Sequence, residues 1–272
     1  MTDIESRGRA AAPSRFTRPP LLAFLFYMLG VVILLWALQG SGWSFNEIAN
    51  GVPSLVDFFQ RSWPPSLVRI DSLSRALVET LQMAIAGTVV GILLSVPFAI
   101  LASRNLLVGR VVGMPFRALI ALFRTVPDLV WALIFVIAVG LGPFAGTLAL
   151  AVDTIGFCGR FFAEAMEDVD KGPAEALHAQ GVRRVDTIFC AIIPAALPSF
   201  VTTSLFAFEK SARSSVILGI VGAGGIGIEL KVAMDLFDYP TAATIILMVF
   251  GLVLVVEQAG NLVRARILEG QK

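Results

Sequence analysis

The chain is predicted to be all-α, a polytopic membrane helix bundle of about six transmembrane helices, and three observations carry that prediction. Apolar residues fill 57% of its 272 positions, against about 45 to 50% in soluble domains even with glycine counted. Several uncharged runs reach the 18 or more apolar residues that a bilayer-spanning helix needs. Most of the charges fall between those runs. A net charge of +1 argues for neither nucleic acid nor acidic partners, so each charge matters by its position.

Residues 1–18, with Arg7, Arg9, Arg15 and Arg18 and no apolar period, read as a disordered basic tail. The run 21–38 reads as a retained first span, because 18 apolar residues exceed the h-region of a cleaved signal and further spans follow. Between 39 and 75, Trp43, Phe45, Phe58, Phe59 and Trp63 alternate with charges and prolines, a composition suited to an amphipathic segment at the headgroup level. The second span is expected over 78–102, kinked at Pro97. Arg104, Arg110 and Arg117 mark a basic loop before a third span at 118–141. Gly140, Gly142 and Pro143 then break the apolar run into a tight hairpin, with the fourth span at 144–161. A polar loop over 164–186 precedes a fifth span at 187–208, which Glu209, Lys210 and Arg213 close at its outer end. After the glycine-rich LGIVGAGGIG at 218–227, the last span covers 241–256, and Arg264, Arg266 and Lys272 end the chain. The resulting organisation is a tail at 1–18, a first span with an external amphipathic segment at 19–74, a core domain at 75–264 and a second tail at 265–272.

Six spans place both termini on one side, and positive charge says which. With the tails, the 104–124 region and the 160–184 loop inside, 15 Lys and Arg are cytoplasmic and 6 external. The stretch 172–181 is then cytoplasmic and the glycine-rich segment external. Pro173 in its first turn, Glu175 near its positive end and Gly181 at its stop describe a short capped helix. Its face with Ala174, Leu177 and His178 suits either a surface connector or a docking helix.

Catalytic chemistry finds little material. His178 is the only histidine, which removes Ser/His/Asp and HExxH arrangements. Cys158 and Cys190 imply neither a disulfide framework nor a metal site. Gly222, Gly224 and Gly227 match GxGxxG but lack the preceding strand a dinucleotide site requires. Together with Gly225 they read as small residues that let backbones approach closely, as between packed helices or in a re-entrant turn. No GxxxxGK[ST] occurs, so the chain itself does not bind and split ATP. Arg124 and Asp128, four apart on one helical face, read as an interfacial ion pair or the edge of a polar path. Glu209, Lys210 and Arg213 read as anchors or as cations facing an anionic substrate. Asp153 lies inside the fourth span, and its expected partner is one of those cations.

Glu175, Ala176, Gly181, Ile193 and Pro194 resemble the EAA signature of ABC importer permeases, with Leu177 and Ala191 at the departing positions. RTVPDLVWALIFV from Arg124, GLGPFAGTLAL from Gly140 and FEKSARSSVILGIVGAGGIG from Phe208 are similar to the phosphonate-type permeases within that superfamily. Lys210 and Asp153 stand where histidine is more usual in that family. The resemblance implies a type I importer permease that is not itself an enzyme and carries phosphonate, phosphite, hypophosphite or phosphate. It implies ATPase coupling through Glu175, Ala176, Leu177, His178, Gly181 and Pro194, and a substrate pathway at Arg124, Asp128, Asp153, Lys210 and Arg213. A periplasmic gate is implied at Gly222, Gly224, Gly225 and Gly227. The implied partners are a second copy of the chain, two ATPase subunits that hold ATP and Mg, and a periplasmic or lipid-anchored binding protein at the bacterial inner membrane. The competing readings are a stand-alone ion-coupled carrier or channel, and an ABC permease for another small solute.

Overall fold

The computed structural model describes residues 20–103 and 110–269, and their regular structure is entirely helical. The tail at 1–18, Arg104 in the basic loop and residues 270–272 lie outside the described residues. Two compact units divide between Phe58 and Phe59.

The first unit holds α1 (Leu21–Gly40) and most of α2 (Phe45–Ser62). α1 is apolar on every side and buries none of its residues, as expected of a helix whose solvent is lipid. α2 is amphipathic, with Phe45, Ile48, Val52, Leu55 and Phe59 exposed at helical spacing.

The second unit contains α3 (Ile70–Ala102), α4 (Arg110–Thr125), α5 (Asp128–Val139), α6 (Pro143–Glu167), α7 (Gly172–Ala179) and α8 (Arg184–Thr187). It continues through α9 (Ile193–Leu218), α10 (Ile226–Asp235) and α11 (Tyr239–Glu269). Lipid tails are as apolar as leucine, so close packing, not hydrophobicity, must hold such helices together. Gly87 and Gly91 supply it on α3: a Cβ on Gly87 would stand 2.7 Å from Leu150 Cβ and 3.0 Å from the Thr147 carbonyl of α6. Gly156 of α6 plays the same part toward α4, whose Arg124 backbone nitrogen lies 2.8 Å from the Cβ a larger residue would place there. Phe162 of α6 stacks on Phe200 of α9 with ring centroids 4.2 Å apart, inside a core that includes Cys158, Met166 and Ile188.

Among the described residues, five helices are long and apolar enough to cross a membrane, and six if α4 and α5 form one broken span. That break corrects the continuous third span. The two helices meet at 94° around Pro127, which has no N–H to donate and disfavours helical geometry at Val126. Arg124 and Asp128 therefore do not share a helical face. The fifth span is corrected as well. α9 continues to Leu218, so Glu209, Lys210 and Arg213 sit within the helix and not at its outer end. Glu209 and Lys210 mark no boundary because Glu209 pairs with Arg264 and Lys210 with Asp153. A π-helical turn at Ile188–Ile192 widens the helix just before Pro194, whose ring would clash with a carbonyl of the preceding turn. α3 and α11 also run past the expected 78–102 and 241–256, since Ile70 starts one and Glu269 ends the other.

Candidate functional site

At one end of the bundle, α7 is a short helix built to hold its shape. Asp170 Oδ1 accepts the Gly172 N–H at 3.1 Å, and Glu175 lies in the first turn. At the other end, Gly181 N–H donates to the His178 carbonyl at 3.0 Å and Val182 N–H to the Leu177 carbonyl at 3.1 Å. That pair of bonds forms a Schellman motif, and it needs Gly181 at φ 79°, where a side chain would be strained. Ala174 and Leu177 are half-buried toward α8 and the π-helical turn, whereas Glu175, Ala176, His178 and Ala179 are exposed. The free face is thus rotated from the Ala174, Leu177 and His178 face expected from the sequence. Pro194 is exposed at the start of α9. A cavity of about 300 Å³ beside α7 is lined by Lys171, Glu175, His178, Arg184 and Ile188. Arg183 bonds Asp186 at 2.9 Å, which holds its guanidinium pKa above the ordinary arginine value.

The middle of the bundle carries charge. Lys210 Nζ lies 2.8 Å from both carboxylate oxygens of Asp153 and 5.6 Å from the Phe157 ring centroid. Asp153 stands about 15 Å along α6 from Pro143 and about 21 Å from Glu167, at 1.5 Å per residue. A lone charge at such a depth costs about 2.5 to 3.5 kcal/mol on insertion scales, and the pair offsets both. The Asp153 side chain is 10% exposed and that of Lys210 42%, so the lysine keeps an open side. Glu209, one position away, turns instead to Arg264 of α11, whose guanidinium stacks 4.3 Å from the Phe206 ring. Arg213 is exposed and makes no ion pair among the described residues.

Toward the α7 end, Arg124 is exposed and its side chain likewise has no partner among the described residues. Asp128, the first residue of α5, accepts the N–H of its neighbour Leu129 at 2.9 Å. A cavity of about 560 Å³ opens between α4 and the final turns of α6, lined by Arg117, Arg124, Arg160, Glu164 and Glu167 among others.

The glycine-rich segment makes a sharp reversal, with Gly222, Gly224 and Gly225 at φ 96°, 91° and 72°. Gly225 N–H donates to Glu79 Oε1 at 2.9 Å and Ile226 N–H to Thr80 Oγ1 at 2.8 Å. A carboxylate at the first residues of α10 also meets the positive end of its dipole. Gly142 N–H donates to the Gly222 carbonyl at 3.0 Å, and Gly227 packs against Gly219. The turn therefore joins α3, the start of α6 and α9. Glu79 and Thr80 escaped the sequence reading because they stand at the edge of an apolar run. Arg117 and Arg160 escaped it as unremarkable loop charges, although Arg117 and Arg124 lie two turns apart on α4. Gly87 and Gly91 form a GxxxG pair that could have been read directly.

An all-helical membrane bundle with a capped, exposed helix between two spans is the fold of type I ABC importer permeases. A chain of the inward-facing methionine ABC transporter MetNI aligns with a TM-score of 0.66 over 74% of this chain and 99% of its own, at 21% identity. The chain belongs to the family of binding-protein-dependent transport system inner membrane components, whose profile matches residues 87–269. It is 36% identical over 219 residues to the phosphite transport system permease protein PtxC of Stutzerimonas stutzeri, covering 80% of each chain. It is 38% identical over 214 residues to the phosphate-import permease protein PhnE of Mycolicibacterium smegmatis, covering 78% of this chain but 40% of that one. The protein is a multi-pass membrane permease subunit.

Proposed function

We propose that the chain is the membrane subunit of an ATP-driven importer for a small phosphorus oxyanion of the phosphonate, phosphite or phosphate class. The observation that carries this reading is the Asp153–Lys210 centre with unpaired Arg213 three residues further along α9, in a chain similar over most of its length to phosphite and phosphate permeases. An anion entering the bundle meets an ammonium open on one side and a guanidinium whose planar fork fits phosphate oxygens. The α7 end faces the cytoplasm with both termini, as the excess of Lys and Arg supports. The Glu175, Ala176 and Ala179 face of α7 docks on an ATPase subunit that binds ATP and Mg. Two such subunits, a second copy of this chain and a periplasmic or lipid-anchored binding protein complete the transporter. Because the Schellman cap keeps α7 rigid, movement of the ATPases passes to α6 and α9, which rock between inward-open and outward-open states. The glycine turn at 222–227 serves as the gate on the opposite side.

Uptake of labelled phosphite and phosphonate by cells expressing the chain with its cognate ATPase and binding protein tests the reading. Glu175→Lys and Gly181→Pro are expected to abolish uptake while the protein remains in the membrane. Arg213→Ala is expected to reduce uptake at low substrate. Normal uptake in Glu175→Lys would remove the coupling role, and accumulation without any ATPase would favour a stand-alone carrier.

A further inference from the structure

Among the described residues, three arginines line the cavity between α4 and α6, and their bonding is uneven. Arg160 Nε donates to Glu164 Oε1 at 2.7 Å, so these two charges cancel within one turn of α6. Glu167 has a partner of its own. Arg117 is anchored by Nε to the Ala102 carbonyl at 2.5 Å, yet its Nη2 is buried without an acceptor among the described residues. Arg124, seven residues along the same helix, has no side-chain partner among the described residues. Seven residues is close to two helical turns, so both guanidiniums leave α4 on the same side. A buried guanidinium nitrogen without an acceptor is costly, and an oxyanion between the two arginines removes that cost with charge-assisted, forked hydrogen bonds. The volume of about 560 Å³ holds such an anion with its waters.

We propose that Arg117 and Arg124 form a binding site for a phosphate-type oxyanion at the α7 end of the bundle, distinct from the Asp153–Lys210 centre. Glu167 lines both this cavity and the one beside α7, so occupancy of the site touches the wall that α7 rests on. The proposal builds on the anion-importer reading for the biological role of the site, but its binding test does not depend on transport. The oxyanion can be a free anion released at this end or the headgroup of an anionic lipid.

Equilibrium binding of labelled inorganic phosphate to the purified full chain in phosphatidylcholine nanodiscs tests it, with phosphatidylglycerol nanodiscs as the second arm. Saturable binding that weakens at least about tenfold in Arg124→Gln, and not in Arg75→Gln at an exposed arginine of α3, is the expected result for a free anion. Loss of phosphate binding in the phosphatidylglycerol arm, together with retention of that lipid by wild type and its release from Arg124→Gln, assigns the site to a headgroup. The Arg124 side chain makes no structural bond among the described residues, so its variant is expected to fold. Arg117→Lys, which keeps charge but loses the fork, is expected to weaken binding less than Arg124→Gln. Absence of phosphate binding and of lipid retention overturns the proposal, as does binding that only Arg213→Gln abolishes. Either outcome leaves the importer reading standing if phosphite uptake is intact. Failure of uptake with binding retained sinks that reading and spares the site.

Discussion

Removing either member of the Asp153–Lys210 pair leaves a lone charge deep in the bundle, but the two losses are unequal. Lys210→Met strands a carboxylate whose side chain is 10% exposed, and breaking a buried pair in this way costs about 3 to 5 kcal/mol. Asp153→Asn strands a lysine whose side chain is 42% exposed. The full cost of a mid-membrane lysine is about 2.5 to 3.5 kcal/mol, and a flexible four-carbon stem that lets the ammonium reach toward a polar interface reduces it to roughly half, about 1.5 kcal/mol. At about 2 to 4 °C per kcal/mol for a domain of this size, Tm falls by roughly 3 to 6 °C for Asp153→Asn and by at least about 6 °C for Lys210→Met. The charge-reversed double variant, with lysine at 153 and aspartate at 210, restores an opposite-charge pair and recovers much of the loss. Thermal unfolding of the purified chain in nanodiscs, followed by tryptophan fluorescence, measures all four proteins. Equal losses, or a larger one for Asp153→Asn, would refute the argument from burial. Uptake then separates structure from transport, because the reversed pair restores stability yet presents an open carboxylate to an incoming anion. Stability regained without uptake is the expected result; uptake regained in full would reduce Lys210 to a structural ion.

Glu79→Ala removes the acceptor for Gly225 N–H; a charged hydrogen bond contributes about 1.5 to 3 kcal/mol, and faster hydrogen exchange at residues 222–229 is expected, with the rest of the bundle unchanged. Gly87→Leu forces a side chain into Leu150 and the Thr147 carbonyl and is expected to lower stability by about 1 to 3 kcal/mol, whereas Gly30→Leu, with nothing within 4 Å, leaves the thermal midpoint unchanged. Gly181→Ala holds alanine at φ 79°, a strain of about 1 kcal/mol. It is expected to raise exchange in α7 and lower the ATPase stimulation that substrate-loaded binding protein produces, with a global Tm shift within about 4 °C.

How much of this was legible in the sequence follows from the range over which each signal acts. The apolar runs, the hairpin at Gly140 to Pro143, the cap at Gly181 and the glycine reversal depend on residues adjacent in the chain, and each was readable there. A span end inferred from a charge is misplaced where that charge is paired inside the bundle. Glu209 and Lys210 remain inside α9 because Arg264 and Asp153, 55 and 57 residues away, neutralise them. Glu79 likewise acts on a turn 146 residues later. A charge paired inside the bundle marks no membrane edge, and pairing is a tertiary fact. The same distinction separates the functional candidates. Asp153 and Glu209 are satisfied within the chain, whereas Arg117, Arg124 and Arg213 retain donors that no described residue accepts. In a medium that supplies few acceptors of its own, these are the positions where an anion, a lipid headgroup or a second subunit has work left to do, so substitutions there should alter binding and transport more than folding.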